Sequence, residues 1–169
     1  MIGECIRKLI DRQQLSRGEM QEAFADMMNG EATDGQKSAF LIALKMKGES
    51  VEEVTGAALA MRERVQRLET SPERLIDTCG TGGDGRGTFN VSTLCAVVAA
   101  SAGARVAKHG NRAVSSKCGS ADLLKALGVN VDLDPGRAVE GMEELGLVFL
   151  FAPNFHPAMK AVAHIRREL

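Results

Sequence analysis

Apolar residues at Ile2, Cys5, Ile6, Leu9 and Ile10 recur every three to four positions, the spacing that gathers side chains on one face of a helix. Three more helix starts follow, each a Ser or Thr placed three residues before a Glu or Gln: Ser16 to Glu19, Thr33 to Gln36, and Ser50 to Glu53. In such a capping box the hydroxyl accepts a backbone N–H of the first turn and the later side chain accepts the N–H of the cap residue. An apolar stripe follows each start. Met20, Ala23, Phe24 and Met27 predict a helix ending near Gly30, and Phe40, Ala43, Leu44 and Met46 one ending near Gly48. Val54, Ala57, Ala58, Met61, Val65 and Leu68 predict a fourth helix, so residues 1–70 read as a helical subdomain.

Beyond Thr70-Ser71-Pro72 the pattern changes to short apolar runs alternating with helices, the mark of βα units around a parallel sheet. Strands are predicted at residues 75–78, 105–108 and 147–151. A helix from about Ser92 carries Val97, Val98 and Ala100 and stops near Gly103. Another opens at Gly119-Ser120, runs through Leu123, Leu124 and Leu127, and closes at Gly128. Asp134-Pro135 supplies an N-cap with proline in the first turn, and His156-Pro157 starts a last helix. Residues 71–169 thus read as part of a parallel-sheet α/β domain. Three strands leave a sheet edge uncovered, and the last helix reaches Leu169 without a Gly or Asn stop, so a truncated chain is expected.

Composition narrows the function classes. The 169 residues are 44% hydrophobic and 25% charged, with 21 Lys and Arg against 22 Asp and Glu, so no electrostatic footprint points to nucleic acid or an anionic membrane. The absence of Trp and Tyr argues against base stacking as well. Four cysteines without CxxC spacing and only three histidines suggest neither a zinc site nor a disulfide framework. With no apolar leader at the N-terminus and no apolar run of membrane-spanning length, a cytoplasmic location is expected.

The chemistry concentrates in two blocks. The first, running from Asp77 to Thr93, contains Gly80, Gly82, Gly83, Gly85 and Gly87. Without Cβ atoms these residues let backbone N–H groups approach an anion closely, and the helix that follows aims its positive end at the same place. Asn90, Ser92 and Thr93 add neutral donors in the first turn, and Ser92 can serve as an oxygen ligand to Mg²⁺. The spacing is neither GxxxxGK[ST] nor GxGxxG, so neither a P-loop nor a Rossmann dinucleotide site is indicated. A glycine-rich connection with an ordinary Asn or Ser cap is the bland alternative. The second block, residues 108–120, follows the next strand at the same carboxyl edge of the sheet, where α/β proteins gather ligands. Lys108 and Arg112 are cationic, Asn111 can donate and accept, and Ser115, Ser116 and Ser120 offer hydroxyls. Its bland alternative is a solvated basic loop. His109 is either a substrate-orienting or a structural group, and Arg166 alone reads as surface charge.

Gly80-Thr-Gly-Gly-Asp84, Asn90-Val-Ser-Thr93, Lys108-His-Gly-Asn-Arg112 and Ser115-Ser-Lys-Cys-Gly-Ser-Ala-Asp-Leu-Leu124 stand in one order and spacing. Together they resemble the anthranilate phosphoribosyltransferases, which share a fold with pyrimidine nucleoside phosphorylases. Phe155-His-Pro157 and the helical first part fit as well, so the resemblance covers the whole chain. It implies a helical subdomain followed by the first part of a nucleoside-phosphorylase-type α/β domain. The implied reaction moves phosphoribosyl from 5-phosphoribosyl 1-diphosphate to anthranilate, in a homodimeric, Mg²⁺-using enzyme of tryptophan biosynthesis.

Residue by residue, the resemblance implies that Gly80, Gly83, Asp84, Thr88, Asn90, Val91, Ser92 and Thr93 line the donor. So do Lys108, His109, Gly110, Asn111, Arg112, Ala113, Val114, Ser115, Ser116 and Ser120. Gly80, Asn111 and Arg166 would hold anthranilate, and Ser92 would touch Mg²⁺; no residue is assigned as a chemical catalyst. The family continues beyond this last helix to an Asp-Glu pair that binds Mg²⁺, and the chain contains no Asp-Glu dipeptide, which reads as an N-terminal portion. Two other readings remain beside the transferase: a nucleoside phosphorylase, and an inactive fragment or dimerising module.

Overall fold

The computed structural model describes residues 1–69, 74–80, 89–113 and 118–169. They form two compact units. One comprises Met1–Val65 together with His156–Leu169, the other Gln66–Phe155.

The first unit is helical: α1 (Ile2–Ile10), α2 (Arg17–Asn29), α3 (Asp34–Lys47), α4 (Val51–Glu63), a 3-10 helix (Pro157–Val162) and α9 (Ala163–Glu168). All three capping boxes form. Ser16, Thr33 and Ser50 each accept the N–H three residues on, while Glu19, Gln36 and Glu53 accept the cap residues' own N–H groups. Ile2, Cys5, Leu9, Leu15, Met20, Ala23, Met27, Phe40 and Leu44 share one core cluster, with Phe24 packed edge-on to Phe40 at a centroid distance of 6.2 Å. Val162 belongs to the same cluster, and Lys37 Nζ donates to Ala161 O at 3.0 Å. Residues 156–169, grouped with the α/β part on sequence pattern, therefore pack with the helices.

The buried face of α4 differs from the predicted stripe. Val54 is 57% exposed, whereas Glu53 and Ala60 are fully buried and Gly56 is buried with them. Small residues decide this face because α4 presses on α2: a Cβ at Gly56 would lie 2.5 Å from Arg17 O and 2.9 Å from the Met20 Cβ. Glu53 is kept by its partners. Its carboxylate accepts Leu15 N–H at 2.9 Å, Ser50 N–H at 2.7 Å and Lys47 Nζ at 2.7 Å. Burial alone would raise its pKa, but these bonds outweigh it and hold the carboxyl below its ordinary value. The helix ends at Glu63, and Leu68, the last residue of the predicted stripe, packs in the other unit.

The second unit carries β1 (Leu75–Ile76), α5 (Val91–Ser101), β2 (Arg105–Gly110), α6 (Ser120–Ala126), α7 (Pro135–Leu145), β3 (Leu147–Phe151) and α8 (Ala152–Phe155). The sheet is parallel, in the order β1-β2-β3, with Ile76 opposite Val106 and Lys108 opposite Phe149. The alternation of the strands divides two layers. Ala107 and Val148 pack with Ala138 and Met142 of α7 on one face, while Phe149 and Phe151 pack with Ala121 and Leu124 of α6 on the other. Asp134 accepts Arg137 N–H at 3.0 Å with Pro135 in the first turn, as predicted for α7.

Helix α5 also differs from expectation. Its buried residues are Thr93 and Ala96, whereas Leu94, Val97 and Val98 are 51%, 43% and 66% exposed. Nothing in its sequence marks one polar side, since the helix carries no charge at all. A periodicity argument therefore has no phase to lock onto.

Candidate functional site

The carboxyl ends of β1 and β2 are joined by Asp77. One of its oxygens accepts the N–H of Cys79 at 2.9 Å and that of His109 at 3.3 Å, which sets the path of the chain leaving β1 against the end of β2. Thr78 Oγ1 then donates to Ser92 O at 2.7 Å, fastening the same path to the first turn of α5. Lys108, on β2, is 3% exposed and its ammonium donates to Ser92 Oγ at 3.2 Å. Burial lowers its pKa, opposed by the negative charge of Asp77. A desolvated cation of this kind gains more from an incoming anion than an exposed lysine would.

The first turn of α5 has no side-chain cap, and its Val91 and Thr93 N–H groups donate to the carbonyls of Phe89 and Asn90. Asn90 occupies the N-cap position without capping; its Nδ2 donates instead to Gly119 O at 3.1 Å and so links the two blocks. Thr93 is 3% exposed, and its Oγ1 has no hydrogen-bond partner among the described residues. The ordinary-cap alternative for this block therefore does not describe Asn90.

In the second block, Gly110 closes β2 with Ser120 pressed against it: a Cβ there would lie 2.3 Å from Ser120 Oγ. Ser120 Oγ and Ala121 N–H both donate to Asn111 O at 3.2 Å. The Arg112 guanidinium stands 5.8 Å from the centre of the Phe151 ring, a cation–π distance. One oxygen of Asp122 accepts the N–H of Ala113 and of Gly119, each at 2.9 Å, and these bonds hold its carboxyl below the ordinary value.

Residues 3–65 match the helical bundle domain of the glycosyl transferase family, and residues 72–169 match its a/b domain. The chain belongs to the glycosyl transferase family. Among curated relatives in this glycosyl transferase family, anthranilate phosphoribosyltransferase of Persephonella marina is 58% identical over all of this chain and 50% of its own length. The enzyme of the same name from Anaeromyxobacter dehalogenans is 57% identical with the same coverage. The crystal structure of anthranilate phosphoribosyltransferase from Thermus thermophilus matches with a TM-score of 0.88 at 48% identity, over 97% of this chain and 50% of that one. The Saccharomyces cerevisiae enzyme, in complex with PRPP and Mg, matches with a TM-score of 0.89 at 29% identity, over 99% and 50%. The chain thus spans about half the length of the curated relatives it matches, in line with the expected N-terminal portion.

Within this glycosyl transferase fold, the expected site residues fall into four groups. Asn90, Ser92, Lys108, Gly110, Asn111 and Ser120 are brought together by the bonds above, with Val91, Thr93, His109, Arg112 and Ala113 on the same stretches of chain. Gly80 follows Cys79 and has open space where a Cβ would stand. Gly83, Asp84, Thr88, Val114, Ser115 and Ser116 lie outside the described residues. Arg166 is exposed on α9 and belongs to the helical unit. Two residues without a place among the expected ones, Asp77 and Asp122, organise the blocks. For Asp122 the signal was in the sequence: it stands three residues after Gly119, the N-cap of α6.

For a divalent cation, the described residues offer the Ser92 hydroxyl and contain no cluster of three or more His, Cys, Asp or Glu side chains. One neutral oxygen suits Mg²⁺ that arrives on phosphate oxygens, because this ion keeps several waters and takes few protein ligands.

Proposed function

We propose that this chain holds 5-phosphoribosyl 1-diphosphate for transfer of its phosphoribosyl group to anthranilate, giving N-(5-phosphoribosyl)anthranilate and pyrophosphate in tryptophan biosynthesis. The observation that carries the reading is the buried Lys108 ammonium beside the Ser92 hydroxyl at the uncapped first turn of α5. Breaking the ribose C1–O bond leaves positive charge on the sugar and negative charge on pyrophosphate. Lys108 and the positive end of α5 stabilise that leaving group, with Ser92, Asn90 and Ser120 as neutral donors around it. Gly80, Gly83, Asp84, Thr88, Val91, Thr93, and the stretch from His109 to Ser116 complete the donor site in this reading. Mg²⁺, touched by Ser92, would add charge to offset the diphosphate.

Gly80, Asn111 and Arg166 hold anthranilate in the same reading, Arg166 through the carboxylate. The aromatic amine is neutral at pH 7 and already nucleophilic, so placing it against C1 supplies much of the acceleration without a strong base. The support for this half is the resemblance together with the named relatives and the fluoroanthranilate complex of the yeast enzyme.

A homodimer and a cytoplasmic location belong to the same proposal. An open groove of about 340 Å³ between α1 and α3, edged by Ile10, Ile42 and Met46, supports the dimer, and light scattering on the eluting protein tests it. No helix among the described residues is long and apolar enough to cross a membrane.

Thermal unfolding of the chain with the donor and Mg²⁺, beside the same titration with a pyrimidine nucleoside, tests the donor reading. At a hundred times the dissociation constant the donor should stabilise by ~2.7 kcal/mol. Lys108→Ala should abolish that gain, whereas stabilisation by the nucleoside alone would favour a phosphorylase. Donor affinity should also fall as pH rises through the lowered Lys108 pKa, with proton uptake on binding in that range. Fluorescence of the product decides whether the chain turns the donor over.

A further inference from the structure

The bond from Ala113 to Asp122 lies outside the needs of a helix cap. Helix α6 is served by Gly119 N–H donating to Asp122 across the first turn. Ala113 lies well before that cap, yet its N–H meets the same carboxylate oxygen, also at 2.9 Å. The two strands of chain joined in this way touch directly: a Cβ on Gly119 would lie 2.3 Å from Ala113 N and 2.8 Å from Asn111 O. Ser120 Oγ and Ala121 N–H add their two bonds to Asn111 O, and Asn90 Nδ2 reaches Gly119 O from the other block.

We infer that Asp122 is a positioning residue that ties the stretch after β2 to the start of α6 and thereby sets Asn111, Arg112 and Ser120 for the diphosphate donor. The inference rests on the donor-binding reading above. Asp122 itself does not touch the ligand. Aspartate suits the role because a single short side chain in the first turn offers one oxygen to both N–H groups, and its negative charge is favourable beside the helix start. Alanine would leave the Ala113 and Gly119 amides without their acceptor. Asparagine would keep an acceptor oxygen at the crossing while removing the charge.

Calorimetric titration of the whole chain with 5-phosphoribosyl 1-diphosphate and Mg²⁺ tests this, for Asp122→Ala, Asp122→Asn and Lys125→Ala. Lys125, on the same helix, pairs with Asp132 and takes no part in the crossing, so its variant reports what a weakened α6 does by itself. Asp122→Ala should weaken binding about tenfold or more, while Asp122→Asn and Lys125→Ala stay within about threefold of the parent. Amide exchange at Ala113 should speed up in Asp122→Ala and remain slow in Asp122→Asn. Unchanged affinity in Asp122→Ala overturns the inference, and so does equal weakening in Asp122→Asn or Lys125→Ala. No binding by the parent chain overturns the donor reading, and the Ala113 exchange then separates that failure from loss of the tie: unchanged exchange in Asp122→Ala counts against the tie itself.

Discussion

Helices α2, α3 and α4 of the helical unit each begin with a reciprocal cap, and the apolar residues of α1, α2 and α3 meet in one cluster. In the α/β unit, α5 begins without a side-chain cap, the core divides into two small clusters on either face of the sheet, and Leu75 and Ile76 of the edge strand are each 40% exposed. Backbone groups at a helix start must find partners somewhere. Where local side chains supply them, the helix is finished by its own sequence. Around α5 no side chain does so, and Lys108, Ser92 and Thr93 stand at the same place, the Thr93 hydroxyl without a partner among the described residues. The comparison separates stability written locally in one unit from polar groups set by distant residues in the other.

The strongest way to break the comparison is to remove its buried charge. Glu53→Ala leaves Lys47, Leu15 N–H and Ser50 N–H without their acceptor and should cost about 3–5 kcal/mol in urea unfolding. A loss under ~1 kcal/mol would show that the network adds little to the helical unit. The same residue gives an acid limb with a defined sign. Because the folded Glu53 pKa is depressed, its stabilisation is complete above the ordinary carboxylate range and disappears as pH falls through the folded value; Glu53→Gln should flatten that limb.

A smaller effect is expected at Gly56, where Gly56→Ala pushes a methyl against Arg17 O and Met20 and should destabilise by about 1–3 kcal/mol through forced separation of α2 and α4. Gain of stability there would mean that the close approach is softer than the distances indicate. Thr33→Ala removes one capping hydroxyl and should cost about 1 kcal/mol, and an unchanged unfolding midpoint would sink the local-cap half of the comparison. Least of all, Val98→Lys on the exposed side of α5 should stay within ~0.5 kcal/mol in the chain itself. A large loss at this position would show that the α/β unit is less open than its exposure implies.

The legible parts of the molecule were those governed by short spacings. The capping boxes, the Asp134-Pro135 start of α7 and the all-apolar β3 depend on residues a few positions apart, so their patterns carry directly into structure. The two blocks were also visible as chemistry, since glycines, hydroxyls and a lysine cluster there regardless of packing. Less legible was which face of α4 or α5 is buried. Glu53 reads only as a cap residue and Val54 as core until α2 arrives against Gly56, and α5 offers apolar residues on every side. The short α8 and the 3-10 turn after His156 likewise lack a period long enough to read.

By itself the sequence determined where most helices and strands begin and that the sheet would be parallel, and it displayed the glycines, hydroxyls and lysine of the two blocks. Those features follow from local hydrogen bonding and from the spacing of residue types along the chain. Only the tertiary structure decided that residues 156–169 pack with the helices, that Lys108 is buried against Ser92, and that Asp77 and Asp122 fasten the two blocks. Each of these joins residues distant in sequence. Desolvation and close approach are properties of the packed chain, and no spacing along it can express them.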